Sequence, residues 1–412
     1  VSLQPEFSKE PSRRPKAPDV SPKLLTGVTP GGAEKAAAKP ADSGAARAVP
    51  VVKKVVLVKT VRTLSKPKHM PYGDSIRVWG TVAVVIGHVC DLVLFNNLVG
   101  DGDWWILNLT ESACRWAVPI YIMLSGALLL DPARNEPASE LYRKRLARIG
   151  VPIVFWSAFF MTFTYYFGPK EEAGKIWSNL ALGKPYAHLH FIFRLAGLYA
   201  FTPAIRVFLR YAERRTVAVV VVMLFFLSAA NSITEAVLKT ELSMFFRFVP
   251  FVGFYLSGWL LREPKLTRRE LSGCAALAIA CVLILAGGTG LLTEHFGRDP
   301  FPSLSFLLYD FVSPVRIAMA VAVWLLLVDF FNEQRAQTKF GRFLTRVVAP
   351  TTLGLYLAHP FFRDVLALYD IHVLHPWPLW IGIPVVTVLV YVPSFLFVWL
   401  LLRMPVVRRI VG

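Results

Sequence analysis

Asp74, Arg77, His88 and Asp91 stand in one otherwise apolar stretch, DSIRVWGTVAVVIGHVCD. On a helix at 100° per residue, the eleven steps from Arg77 to His88 make about three turns, which puts both on one face about 16 Å apart. Thr81 falls close to the same stripe. Asp74 is three residues before Arg77 and Asp91 three after His88, the spacing at which helical side chains meet. A carboxylate so placed can orient the imidazole and raise its basicity, which suits His88 to take a proton. The structural alternatives are a core histidine and an Arg77–Asp74 salt bridge; the latter does not exclude a binding role for Arg77.

The elements that must position these residues follow from composition. The 412 residues are 55% hydrophobic and 17% charged, with a mean hydropathy of +0.51. Soluble chains carry about 25% charged residues, so a soluble enzyme and a disordered scaffold are excluded and a polytopic membrane protein remains. Ten apolar runs, at 75–95, 108–130, 148–168, 188–208, 216–231, 244–262, 271–292, 307–330, 347–369 and 379–402, approach or exceed the length of a membrane span. The expected fold is an all-α integral membrane protein, a bundle of about ten transmembrane helices behind a disordered N-terminal tail. Residues 1–71 form that basic tail, rich in Pro, Ala, Ser, Lys and Gly at first, and 72–412 form the membrane domain. Residues 51–62, VVKKVVLVKTVR, can lie on an anionic membrane surface or serve as a linker. The first long apolar run starts only near Ser75, so no signal peptide is expected. Cys90, Cys114, Cys274 and Cys281 all lie in apolar runs and read as small buried hydrophobes.

With the tail inside, the loops on its side hold 34 Lys/Arg and the opposite loops 5. This is the positive-inside bias, repeated through ten spans with both termini cytoplasmic. It accounts for most of the net charge of +18 without nucleic acid. Six basic residues remain within spans, all arginines: Arg77, Arg115, Arg194, Arg247, Arg316 and Arg363. An arginine at membrane depth costs at least ~2.5 kcal/mol, so each needs a partner or a wet cavity. Glu111, Asp310 and Asp364 are near Arg115, Arg316 and Arg363 in sequence and are candidate partners.

The D-x-x-R pattern of Asp74 and Arg77, ten residues, then His88, resembles the opening helix of the membrane acyltransferase 3 family. These are integral-membrane O-acyltransferases that modify surface and extracytoplasmic glycans. Further segments resemble the family in order. They are RWAVPIYIMLSG (Arg115 to Gly126), YRKRLARIGVP (Tyr142 to Pro152), HLHFIFRLAGLY (His188 to Tyr199, then Pro203), FVGFYLSG (Phe251 to Gly258) and LYLAHP (Tyr356, His359, Pro360). The resemblance covers about 72–402. One departure is that His190 occupies a position where the family commonly has Trp, with Arg194 one turn on. No hydrolase-type domain follows the last span, so a second acyl-transfer step would fall to another protein.

The resemblance implies acyl-CoA as donor, acetyl-CoA by default, and a glycan or glycolipid acceptor at the outer side of a bacterial inner membrane. His88 is then the general base oriented by Asp91. Arg145 and Arg148 suit the donor's phosphates, because guanidinium forks match phosphate oxygens; ordinary positive-inside charge is their structural alternative. Arg77 lies deeper on the donor's path. His190, Arg194, Arg316, His359 and Arg363 are candidates for an outward acceptor site, with a structural ion-pair network as rival. Membrane lipid surrounds the bundle, and a homo-oligomer is compatible with the sequence. No metal is expected: His372 and His375 alone do not make a zinc site. Ser125, on an apolar helix without a G-x-S-x-G turn, reads as helix packing. A different function class also fits intramembrane Arg, His and Asp, a proton- or anion-coupled secondary transporter. That class favours repeated halves or interrupted helices, and neither stands out. A partner-binding scaffold leaves the six arginines unexplained.

Overall fold

The computed structural model describes residues 70, 72–94, 101–132, 134, 136–297, 303–331 and 338–412. The expected tail, Met70 aside, lies outside them. Eight helices among the described residues are long and apolar enough to cross a membrane. They are α1 (Tyr72–Leu94), α2 (Gly102–Leu129), α3 (Ala138–Phe167), α4 (His190–Tyr211), α5 (Arg214–Leu238), α7 (Arg268–Phe296), α8 (Leu304–Phe330) and α10 (Leu379–Arg403). Two shorter helices complete the ten expected runs: α6 (Val249–Leu260, with a 3₁₀ first turn) and α9 (Thr352–Leu368). The charges of Arg363 and Asp364 lower the apolarity of α9. No β-strand occurs among the described residues. The chain is an all-α integral membrane protein.

Hydrogen bonds between span ends show alternating passes. The Tyr72 hydroxyl at the start of α1 donates to Arg262 O just past α6 (2.8 Å). Arg206 Nε near the end of α4 donates to Leu129 O at the end of α2 (2.7 Å). Trp324 Nε1 on α8 donates to Leu261 O, and Trp156 Nε1 on α3 to Ile410 O beyond α10. These residues mark one end of the bundle, called here the basic end for its lysine- and arginine-rich connections. At the far end, Asn108 Nδ2 on α2 donates to Ala286 O on α7 (2.8 Å).

α1 is the most enclosed span, with 61% of its apolar window buried, against 22% for the peripheral α10. It packs on α2, α9 and α10. An enclosed helix can carry a polar stripe because neighbouring side chains, not lipid, face it.

α2 and α6 cross at two L-S-G segments, Leu124–Gly126 and Leu256–Gly258. A Cβ on Gly126 would stand 1.8 Å from Tyr255 O, and one on Gly258 1.8 Å from Met123 O. Each helix therefore presses its glycine onto the other's backbone. With no hydrophobic effect between helices in lipid, this close approach is a main source of association.

Two spans are interrupted within a single apolar run. α2 leaves regular helix at Arg115 and Trp116, between Gly102–Cys114 and Ala117–Leu129. α8 begins as a 3₁₀ turn, Leu304–Tyr309, and restarts at Pro314. Ser313 caps the restart by accepting from Arg316 N (3.3 Å), and Pro314 needs no N–H at its helical position. One break has Arg115 at the end of its first segment, and the other has Arg316 in the first turn of the restarted helix.

Candidate active site

The α1 stripe forms as its spacing implies. Arg77 Nη1 meets Asp74 Oδ1 at 2.5 Å. The Thr81 and Tyr121 hydroxyls lie 2.8 and 3.0 Å from Arg77 O and 2.6 Å from each other. His88 Nδ1 is 3.3 Å from Asp91 Oδ2. A carboxylate accepts, so Nδ1 carries the proton and Nε2 the lone pair.

Two more histidines surround His88. The His359 ring centroid is 5.2 Å from that of His88, and His188 is 5.7 Å from His359. His359 is completely buried, and its Nδ1 lies 2.8 Å from Tyr356 O and 3.2 Å from Leu355 O. Carbonyls only accept, so His359 Nε2 is bare, with no partner among the described residues. By the same logic His188, with Nε2 3.2 Å from Leu357 O, leaves Nδ1 bare and buried. The cluster offers lone pairs on two fully buried rings, His188 and His359, beside the part-buried His88.

Behind the histidines, three of the intramembrane arginines are tied down. Arg115 Nη2 is 2.7 Å from Glu111 Oε1 and 3.5 Å from Asp91 Oδ1, with its guanidinium 3.8 Å over the Tyr309 ring. Asp91 thus stands between His88 and Arg115. Gly87 makes room for this arrangement, since a Cβ there would lie 2.7 Å from Glu111 Oε2. Arg363 Nη2 pairs with Asp364 Oδ1 (2.6 Å), Arg363 Nη1 donates to His88 O (3.2 Å), and Asp364 accepts from the Tyr186 hydroxyl. Arg316 donates to two backbone carbonyls, Arg115 O (2.8 Å) and Tyr309 O (2.9 Å). The neighbours expected for Arg115 and Arg363 are therefore their partners, whereas Arg316 spends these donors on the carbonyls freed by the two helix breaks.

A cavity of about 240 Å³ opens near the basic end and gathers Arg77, Arg134, Arg145 and Arg148. Its inner wall is aromatic: Tyr121, Phe191 and Tyr356, with ring centroids 6.0 Å (Tyr121–Phe191) and 5.3 Å (Phe191–Tyr356) apart. Tyr356 leads on to the histidines, its ring 5.9 Å from His359 and its hydroxyl donating to His188 O (2.6 Å). A π-helical turn at Leu146–Gly150 carries Arg148 and runs on into Val151–Phe167 of α3.

A second cavity, about 630 Å³, lies at the far end beneath the 168–187 and 239–248 connections. His190 and Arg194 line it. It shares no lining residue with the first. The proposed acceptor residues therefore divide. His190 and Arg194 face this cavity, His359 packs against His88, Arg363 anchors the His88 turn, and Arg316 braces the helix breaks.

Sequence reasoning passed over His188 and Arg134. His188 stands two residues before His190 in HLH, but only the fold shows that it reaches the inner cluster. Arg134 carries the same signal as any loop arginine on the basic side.

The residues brought together are a base-and-carboxylate pair and a multi-arginine cavity. The acyltransferase 3 model, described as an acyltransferase domain, matches residues 70–402. No curated protein and no solved structure matches the chain. The family match supports acyl transfer and gives no support to the transport alternative. With the match spanning every membrane helix from α1 to within a residue of the end of α10, the chain belongs to the acyltransferase 3 family of membrane acyltransferases.

Proposed function

We propose that this protein moves an acetyl group from acetyl-CoA to a hydroxyl of a glycan or glycolipid, with His88 as general base. The basic end faces the cytoplasm of a bacterial cell and receives the donor, and the far end receives the acceptor. The observation that carries this reading is that the Arg77–Arg134–Arg145–Arg148 cavity and the His190–Arg194 cavity lie toward opposite ends of the bundle, with the histidine cluster in ring contact with Tyr356 of the first and Tyr186 of the second. The excess of basic residues at the first end supports its cytoplasmic side.

In the transfer, His88 Nε2 takes the proton of the acceptor hydroxyl as the oxygen attacks the thioester carbonyl. The resulting tetrahedral adduct collapses, the C–S bond breaks, and the imidazolium returns its proton to the CoA sulfur. Asp91 holds the ring and stabilises the imidazolium. The arginines hold the donor's phosphates, and about 16 Å of helix between Arg77 and His88 is the stretch that the pantetheine arm crosses.

The test needs no knowledge of the acceptor. Acetyl-CoA binding and slow CoA release are measured on purified protein in detergent, for wild type and His88→Ala. Wild type is expected to bind and release CoA, and His88→Ala to bind with little turnover. Folded wild type that does not bind acetyl-CoA would overturn the donor assignment.

A further inference from the structure

The far-end cavity contains an unbalanced charge. Four cations line it: Lys175, Lys184, Arg194 and Arg247. Three have acidic partners. Lys184 Nζ is 2.8 Å from Glu241 Oε1, Arg247 pairs with the same carboxylate, and Lys175 lies 3.6 Å from Glu172. Arg194 has no ion pair among the described residues. It is nine-tenths buried, and its Nε and Nη1 have no hydrogen-bond partner among those residues. Phe251 and Phe311 flank its guanidinium at 4.5 and 4.7 Å from the ring centroids. The rings hold the guanidinium in place through their π-faces, but they accept none of its hydrogen bonds. A buried guanidinium with open donors at the wall of a cavity is costly unless an anion completes it.

His190 adds a second requirement. It precedes Arg194 by four residues on α4, so both share a face. Its Nδ1 lies 2.6 Å from Ala187 O, which fixes the proton there. Its Nε2 is buried without a partner among the described residues. A bare imidazole nitrogen accepts from a hydroxyl. The complementary ligand therefore carries an anionic group and a hydroxyl on one small frame.

We propose that the acceptor is an acidic sugar unit, whose carboxylate or phosphate oxygens bind Arg194 while a ring hydroxyl donates to His190. This rests on the acyltransferase reading for its name as acceptor, but the binding chemistry stands apart from it. The remaining polar and aromatic wall, including Tyr186, is of a kind that suits a sugar ring. Tyr186 also connects the cavity to the chemistry, because its hydroxyl donates to Asp364, whose partner Arg363 holds the His88 turn.

The test is ligand binding to the full chain in detergent by saturation-transfer NMR titration, with glucuronate, glucose 6-phosphate and glucose as probes and acetyl-CoA measured separately. At least one acidic sugar is expected to bind wild type at least about tenfold more tightly than glucose, as for a charge-assisted, two-point contact. Preference for glucuronate identifies a carboxylate acceptor, and preference for glucose 6-phosphate a phosphorylated one. Arg194→Gln is expected to lose that preference while still eluting as a monodisperse, folded species. Should Arg194→Gln fail to fold, Arg194→Lys keeps the charge without the fork and is expected to weaken acidic-sugar binding severalfold. Equal wild-type binding of glucose and both acids overturns the proposal. So does an unchanged preference in a folded Arg194→Gln protein. Wild type that binds acetyl-CoA but no acidic sugar overturns the subsite and leaves the acyltransferase reading intact. The reverse pattern overturns that reading and leaves the subsite.

Discussion

Arg363 Nη1 on α9 donates to the carbonyl oxygen of His88 on α1, at 3.2 Å, while its other nitrogens hold Asp364. The arginine thereby fixes the turn that presents the imidazole. Arg363→Gln leaves Asp364 with a single donor, Tyr186. The expected cost is about 3–5 kcal/mol, the usual result of removing one partner from a buried pair. Arg363→Gln combined with Asp364→Asn is expected to recover much of the lost melting temperature but not the rate of CoA release. Full recovery of that rate would show that the link to the His88 backbone has no part in turnover.

His88→Ala is expected to lower CoA release by about 10²–10⁴-fold, the range of general acid–base catalysis, with acetyl-CoA affinity kept. Asp91→Asn keeps a hydrogen-bonding side chain but removes the charge. Its rate is expected to fall less, because the amide still orients the ring but no longer stabilises the imidazolium. CoA release at the wild-type rate in Asp91→Asn would break the assignment of Asp91 to His88.

Arg134, Arg145 and Arg148 line one cavity. Single Gln substitutions are expected to raise the acetyl-CoA Kd about 10- to 150-fold each, through loss of a charge-assisted contact of about 1.5–3 kcal/mol. Affinity for dephosphorylated pantetheine donors is expected to change little. Equal losses for both donors would mean that these arginines do not read phosphate.

Gly126 on α2 and Gly258 on α6 have no space for a side chain. Gly126→Val is expected to cost 1–3 kcal/mol or more, as overpacking at an immovable neighbour does. Thermal unfolding in detergent measures it; a melting temperature within a degree of wild type would contradict the crossing geometry.

Glu241 lies in the connection between α5 and α6. Burial pushes its carboxyl up, but hydrogen bonds from Lys184 and Arg247 prevail and hold it below the usual carboxylate range. Its contribution to stability is therefore present above the ordinary carboxylate pKa of about 4.3 and is lost as pH falls through the lower folded value. Glu241→Gln should be less stable than wild type at neutral pH, and the two melting temperatures should converge on acidification. Parallel pH curves would count against the pairing.

The ten runs were legible because lipid demands long apolar segments, and the basic loops fixed their alternation. The α1 stripe was legible because Arg77, His88 and their acids are local to one helix. What stayed hidden was long-range or irregular. His88 and His359 are 271 positions apart in sequence, and no spacing rule joins them. The breaks at Arg115–Trp116 and before Pro314 each lie inside one apolar run; Ser313 and Pro314 are local helix-start signals, but hydropathy is blind to a turn whose carbonyls are satisfied by Arg316. Arg134 was hidden by its likeness to topology-setting charge. The division of the outer arginines into structural braces and one open guanidinium depends on which carboxylates reach them, a matter of packing alone.

The aromatic wall of Tyr121, Phe191 and Tyr356 has a consequence for the cell. The two cavities open toward opposite ends of an integral membrane protein, and in an energised bilayer each elementary charge crossing 100 mV represents about 2.3 kcal/mol. An open bore through the bundle would let protons run down that voltage. The three rings stand with the buried His188 and His359 behind the donor-side cavity, where packed side chains restrict such a bore. On the proposed donor assignment, a slender thioester arm would pass these rings to reach the chemistry while the membrane keeps its electrical seal.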